Sequence, residues 1–134
     1  MSFLIWNVRG FNHPLKQKEV VNRIKKLNIN FVCLLETRVK FNNVQEIISR
    51  QFLGWHILHN YDYDQNERIW MLWDDTLKVD LLAVNDQCIT SKVETDSQKF
   101  IFNSIYGCND GKERRRLWSH LASLHHIVCK RLKY

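Results

Sequence analysis

Two polar residues, Asn7 and Glu36, stand at the ends of apolar segments that have the composition of buried strands, residues 3–6 and 31–35. The chain between these segments has a helical pattern of apolar residues. Two strands joined by a helical crossover normally lie parallel, so their carboxyl ends meet at one edge of the sheet. Open α/β sheets place their sites at that edge. An amide and a carboxylate there predict a site for a hard cation such as Mg²⁺, which is held by one or two carboxylates together with substrate phosphates.

Each residue of this pair also has a structural interpretation. A strand-end asparagine such as Asn7 often caps a turn through its side chain. Glu36 has two basic neighbours, Arg38 and Lys40, with which it could form a surface ion pair. Both interpretations stay open from these residues alone.

The elements that must position the pair follow from the spacing of apolar residues. A helical repeat begins behind Pro14, which suits a first helical turn, and ends near Asn28. A shorter helix is predicted over residues 43–52, and an amphipathic helix follows Gly111. Between these helices the period changes to two, which predicts strands at 55–58, 69–73, 78–84, 87–93 and 99–106. The sequence therefore predicts an α/β fold with a mixed sheet that starts parallel and continues as an antiparallel meander.

Composition bounds the class of protein. The chain has 134 residues, of which 45% are hydrophobic, and a formal net charge of +6. This is enough for one packed domain, and the charge permits attraction to nucleic acid without requiring it. The four cysteines form no C-x-x-C pair, and Cys33 and Cys88 fall in strand-like segments, where we expect them to be reduced and buried. With no apolar run of transmembrane length and no signal-peptide pattern, we expect an intracellular protein, nuclear or cytoplasmic, that is not secreted.

Three motifs in order give the sequence a resemblance to the endonuclease/exonuclease/phosphatase superfamily. They are Trp6-Asn7-Val8-Arg9-Gly10, Leu34-Leu35-Glu36-Thr37 and Ile105-Tyr106-Gly107-Cys108-Asn109. The chain most closely resembles the endonuclease-like domain of plant non-LTR (LINE-type) retrotransposons. This closer similarity also includes the phrase Arg-Ile-Trp-Met-Leu-Trp and the charged last helix with Arg-Leu-Trp.

The resemblance implies a four-layer α/β sandwich, of which residues 1–134 would be the N-terminal half and a single incomplete domain. It implies phosphodiester hydrolysis with Mg²⁺ as cofactor. Carried onto this sequence, Glu36 is the expected metal ligand and Asn7 supports the metal and the scissile phosphate. Tyr106 and Asn109 are expected to contact the phosphate. The second sheet of the sandwich would come largely from the missing half, so an apolar sheet face is expected to stay open to water.

The sequence departs from the superfamily at two motifs. Gly-Asp-x-Asn and Ser-Asp-His, which supply the groups around the attacking water and the general-base pair, do not occur in these 134 residues. Asp64-Gln65-Asn66 has the Asp-x-Asn spacing but stands in the wrong half of the order, and Glu67 stands where relatives often have glycine. We therefore expect a fragment of a Mg²⁺-dependent DNA endonuclease, of retrotransposon origin, that is inactive by itself.

Two alternatives stay open. The chain could be a non-catalytic basic module that binds nucleic acid or pairs with a partner, or a superfamily member that acts on a phospholipid or inositol phosphate. The expected partners are DNA, bound weakly and without sequence preference, and a missing C-terminal half or a second copy; no membrane partner is expected.

Three further groups of residues receive structural interpretations. His120, His125, His126 and Cys129 are interpreted as ordinary helix positions, because no second pair of metal ligands is visible. The run Arg114–Arg116 is interpreted as a solvated helix start. The tryptophans Trp55, Trp70, Trp73 and Trp118 are interpreted as packing residues.

Overall fold

The computed structural model describes residues 2–63, 69–106 and 111–132, with the last helix's side chains described at 111, 112 and 114–123. The elements in chain order are β1 (Phe3–Asn7), α1 (Pro14–Lys26), β2 (Phe31–Leu35), α2 (Phe41–Gln51), β3 (His56–His59), β4 (Ile69–Trp73), β5 (Lys78–Val84), β6 (Cys88–Glu94), β7 (Lys99–Ile105) and α3 (Gly111–Leu132). Every predicted element is present, and the α/β class is confirmed.

Helix α1, which crosses over between the first two strands, has clear start and stop signals. Its N-cap is His13, whose ring nitrogen accepts a hydrogen bond from the Leu15 N–H at 3.1 Å, and Pro14 occupies the first turn. Asn28 follows the helix with φ of 52°, the left-handed conformation that commonly ends a helix. The crossover therefore begins and ends where the sequence predicts.

The first sheet has the strand order β1-β2-β4-β3. β1 and β2 are parallel, and β4 pairs antiparallel with both β2 and β3. One face of this sheet packs against α1 and α2 around a buried cluster that includes Val20, Leu34, Phe52 and Trp70. The predicted parallel start and antiparallel continuation are both confirmed.

The other face of the first sheet is covered by a second sheet, β5-β6-β7, whose pairings are all antiparallel. The ring centroids of Phe31 and Phe102 lie 4.9 Å apart between the sheets, and Cys33 Sγ lies 2.6 Å from Ser104 Oγ. Phe31 and Met71 of the first sheet are fully buried. The expectation that this face stays open to water is therefore wrong over β2 and β4, because the chain itself supplies three strands of the second sheet.

The expectation holds only at the edge strand β1. Phe3 and Ile5, whose side chains are on the inter-sheet side, are 53% and 52% exposed. Phe3 makes an edge contact with Phe102 of the second sheet, at a centroid distance of 6.1 Å. The sandwich is thus closed over its centre and open along β1.

Helix α3 is attached to the second sheet near its start. Arg116 forms an ion pair with Asp86 at 2.6 Å, and Leu117 is buried. Trp118, in contrast, is 61% exposed, so the interpretation of this residue as a packing residue is wrong. Trp70 and Trp73 are buried as predicted, and so are the free thiols of Cys33 and Cys88. Among the described residues, no helix is long and apolar enough to cross a membrane.

Candidate functional site

The loops that follow β1 and β2 run side by side and carry the predicted pair. Asn7 is in register with Leu35, the residue directly before Glu36. The backbone pairing continues beyond the strands through Val8 N–H to Leu35 O at 3.0 Å, Gly10 N–H to Glu36 O at 2.8 Å and Phe11 N–H to Thr37 O at 2.7 Å. Asn7 and Glu36 therefore lie at one edge of the sheet, as the strand–helix–strand pattern predicts.

Three residues of these two loops have a backbone conformation that side chains disfavour. The φ angles of Arg9, Glu36 and Arg38 are 51°, 58° and 54°. A left-handed conformation at a residue that carries a Cβ costs about 1–2 kcal/mol. Such strain persists where surrounding structure holds it, and it is commonly found at functional sites. Here the hydrogen bonds between the two loops hold the strained backbone in place.

Glu36 is paired with a cation. Arg38 Nη2 lies 2.6 Å from Glu36 Oε1, and the Glu36 side chain is only 17% exposed while that of Arg38 is 61% exposed. The structural interpretation, an ion pair with a basic neighbour, is thus confirmed with Arg38. The ion pair uses one oxygen of the Glu36 carboxylate, and the other oxygen, Oε2, can still accept a metal or a hydrogen bond.

The contacts between the two sheets place Tyr106 at the same end of the sandwich as Asn7 and Glu36. Phe31 contacts Phe102 and Cys33 contacts Ser104, so every second residue of β7 lies opposite every second residue of β2. Leu35 and Tyr106 are the next residues in these two series, and both pack against the inter-sheet core. The Tyr106 N–H also donates to the Gln87 carbonyl at 2.9 Å. The structure thus brings Asn7, Glu36 and Tyr106 to one end of the fold.

Several predicted positions lie outside the described residues. They are Asn109, the Asp64-Gln65-Asn66 segment and Glu67. No group of three or more His, Cys, Asp or Glu residues suited to a metal occurs within the described part of the chain. Arg114 and Arg115 are exposed at the start of α3. The side chains of His125, His126 and Cys129 are not described, so their interpretation stays a prediction.

Sequence analysis missed a buried asparagine, Asn60, that fixes this end of the fold. It is 1% exposed, and its side-chain oxygen accepts the Ile69 N–H at 3.3 Å. Its amide nitrogen donates to the carbonyls of Asn85 and Asp86, each at 3.2 Å. Asn60 thereby joins the first sheet to the β5–β6 turn of the second. No local sequence signal reveals this role, because its partners are distant in the chain.

Sequence analysis also missed a cluster of three rings at this end, formed by Phe41, His59 and Tyr61. Their centroids lie 4.8–5.7 Å apart. Burial lowers the pKa of His59, and the charge of Asp62 opposes this shift. A signal existed: Phe41 stands shortly after Glu36, His59 is the last residue of β3, and Tyr61 lies just beyond that strand.

Solved structures share this architecture. The endonuclease domain of TRAS1, a telomere-specific non-LTR retrotransposon, superposes with a TM-score of 0.66 and 13% identity, over 96% of this chain and 54% of that one. TDP2 from D. rerio, in complex with a single-strand DNA product, gives 0.62 and 12% over 91% and 52%. The human Nocturnin catalytic domain gives 0.57 and 16% over 91% and 58%.

At the sequence level, no family model and no curated protein matches the chain. The chain spans about half the length of the solved structures it matches. Identities of 12–16% show a common fold and do not by themselves show a common activity. From its two packed sheets, its helices and these neighbours, the chain has the fold of the endonuclease/exonuclease/phosphatase proteins.

Proposed function

We propose that this chain supplies the first half of a metal-dependent DNA phosphodiesterase domain of the retrotransposon endonuclease type, and that alone it binds DNA without cleaving it. The observation that carries the proposal is the pairing of the loops after β1 and β2, which puts Asn7 in register with Leu35, the residue directly before Glu36. The fold shared with the TRAS1 endonuclease and with a DNA-bound TDP2 supports it. The net charge of +6 supports an anionic partner.

The residues present could bind a magnesium ion only together with water molecules and substrate phosphates. Mg²⁺ usually keeps several waters and takes one or two carboxylates together with substrate phosphates. Among the described residues of this end, Glu36 offers such a carboxylate with low exposure. When bound, the ion would polarise a phosphoryl oxygen and stabilise the charge that develops on it.

The chain's own residues would orient the phosphate. Arg38, already 61% exposed, has further N–H donors beyond the one that contacts Glu36, and these would donate to a phosphate oxygen in a strong charge-assisted contact. The Asn7 amide and the Tyr106 hydroxyl are neutral donors that suit the remaining oxygens. The resemblance also assigns a phosphate contact to Asn109, which lies outside the described residues. Because the motifs that supply the general base and position the water are absent from these 134 residues, we expect no activation of water.

The test measures plasmid nicking and DNA binding with the same samples. Purified chain should not nick supercoiled plasmid in Mg²⁺, and its affinity for a short duplex should rise when Mg²⁺ is added at constant ionic strength. Glu36→Gln should remove this rise. Glu46→Gln is the matched control, because Glu46 also pairs with an arginine, Arg50, but lies on α2 away from Asn7 and Tyr106.

Two results would contradict the proposal. Metal-dependent nicking that Glu36→Ala abolishes would show that the chain catalyses by itself. An equal Mg²⁺ response in wild type and Glu36→Gln would remove Glu36 from the metal site.

A second candidate function, a module that pairs with another polypeptide, is favoured by one observation. The edge strand β1 presents Phe3 and Ile5, each about half exposed, on the side where the sandwich is open. Edge strands with exposed apolar residues are templates for pairing with another chain. Light scattering over a concentration series distinguishes this candidate, since a self-pairing chain changes mass with concentration and a strict monomer does not.

A further inference from the structure

The three rings of Phe41, His59 and Tyr61 form a compact cluster. The planes of Phe41 and His59 meet at 75°, those of Phe41 and Tyr61 at 70°, and those of His59 and Tyr61 at 69°. Each pair is therefore in edge-to-face contact, the arrangement that aromatic pairs favour. Phe41 is 64% exposed, whereas His59 and Tyr61 are partly buried beside it. The cluster thus presents one large aromatic surface to solvent.

The dimensions of the cluster decide which ligand it can take. An aromatic cage for a quaternary ammonium surrounds the cation with ring faces. Here centroid distances of 4.8–5.7 Å place the rings in direct contact, so there is no space between them. A ligand can only lie against the outside of the cluster, where a flat ring can stack on Phe41.

The cluster is held in place from below. The Tyr61 hydroxyl accepts the Trp70 indole N–H at 2.9 Å and donates to the Val39 carbonyl. Asn60, which joins the two sheets, lies between His59 and Tyr61 in the chain. A rigid aromatic surface costs little conformational entropy when a ligand stacks on it.

The cluster lies at the same end of the fold as Glu36. His59 ends β3, and its partner Trp70 lies at the start of β4, whose Ile69 pairs with Leu35. β3 is two strands away from β2, so about 10 Å separates them at ~4.8 Å per strand. That distance is about three stacked nucleotides at ~3.4 Å each. Two exposed cations, Arg38 and Lys40, stand in the segment that joins Glu36 to Phe41.

We propose that Phe41, supported by His59 and Tyr61, is a stacking surface for an unpaired nucleobase of a single strand whose backbone crosses the end of the fold at Glu36. The inference rests on the proposed DNA-binding role. It adds a preference for single strands that carry unpaired bases. Arg38 and Lys40 contact the backbone between the phosphate at Glu36 and the stacked base. Stacking on an aromatic side chain tolerates any base, so this surface selects for single strands and not for sequence.

The experiment compares two oligonucleotides of equal length and charge in EDTA, one with bases and one abasic throughout. Stacking of one base is worth ~1–3 kcal/mol, so the wild-type chain should bind the base-containing strand about 5–150 times more tightly. Phe41→Ala should abolish this preference and leave abasic binding unchanged, while Phe41→Trp should keep it. Leu53→Ala is the matched control, because Leu53 is 84% exposed and apolar but lies beyond the other end of α2.

Each outcome is decisive. Equal affinity of the wild-type chain for the two strands, or binding of neither, would overturn the inference. A preference that survives in Phe41→Ala would also overturn it, since the bases would then stack elsewhere. The base preference should appear in EDTA, without any metal. A base preference without a Glu36-dependent Mg²⁺ response would leave the stacking surface standing and remove the phosphodiesterase role.

Discussion

Phe3 and Phe31 provide a matched test of how the two sheets pack. They are the same residue type, they are partners in the β1–β2 register, and both face the second sheet. Phe31 is fully buried and contacts Phe102 at 4.9 Å, whereas Phe3 is 53% exposed. Replacing each by alanine therefore removes the same atoms from a closed and from an open part of one interface.

The expected losses in free energy of unfolding differ several-fold between Phe31→Ala and Phe3→Ala. A core Phe→Ala substitution costs about 3–5 kcal/mol, because it removes buried apolar surface and leaves a cavity. Full burial of such a side chain is worth about 1.5–3 kcal/mol, so the half-buried Phe3 should contribute about 1 kcal/mol, with no enclosed cavity. With a denaturant slope of about 2 kcal/mol/M, Phe31→Ala should lower the urea midpoint by about 2 M and Phe3→Ala by about 0.5 M.

Tryptophan fluorescence reports the transition, since Trp70 lies within the buried core. A Phe31→Ala loss below about 1 kcal/mol would refute the inter-sheet packing described above. A Phe3→Ala loss as large as that of Phe31→Ala would show that β1 is covered in solution by another chain. Measuring both variants at several protein concentrations separates this covering from packing within one molecule.

Three further predictions use other parts of the chain. DNA affinity should be weak and non-specific and should fall linearly with salt on a logarithmic scale; affinity insensitive to salt in a filter-binding titration would contradict the electrostatic argument. Burial raises the pKa of the Cys33 thiol from 9.0 to about 11, so the folded state favours the neutral thiol. Its contribution to stability should be complete below pH 9 and be lost as the pH rises to 11, and urea midpoints of Cys33→Ser should decline less over that range. Arg9→Gly should raise the free energy of unfolding by up to about 1 kcal/mol because Arg9 has a φ of 51°, while a similar gain in Arg9→Ala would show that backbone strain is not the cause.

The element order and the position of Asn7 and Glu36 could be predicted from the sequence because both depend on local patterns. Continuous apolar runs at residues 31–35 and 69–73 and the helical repeat between the first two strands suffice for this. The ion pair of Glu36 with Arg38 was one of two open alternatives, since local sequence does not choose between two nearby cations.

The second sheet could not be predicted, because alternation with a period of two does not say which sheet a strand joins. The contact between Cys33 and Ser104, which are 71 residues apart in the sequence, forms only in the folded chain. Trp118 illustrates a different failure. It follows the buried Leu117, and one residue on a helix turns the side chain by about 100°, so the face that buries Leu117 leaves Trp118 exposed.

The hydrogen bonds between the loops after β1 and β2 also determine how this end of the molecule moves. Loops usually open with little cost in free energy, ahead of the rest of a domain. Here Val8, Gly10 and Phe11 donate to the neighbouring loop, so neither loop can open without breaking bonds to the other. The amide hydrogens at these three positions should therefore exchange as slowly as those of the sheet itself. Glu36 is thus held in place before any ligand arrives, and binding does not have to order it.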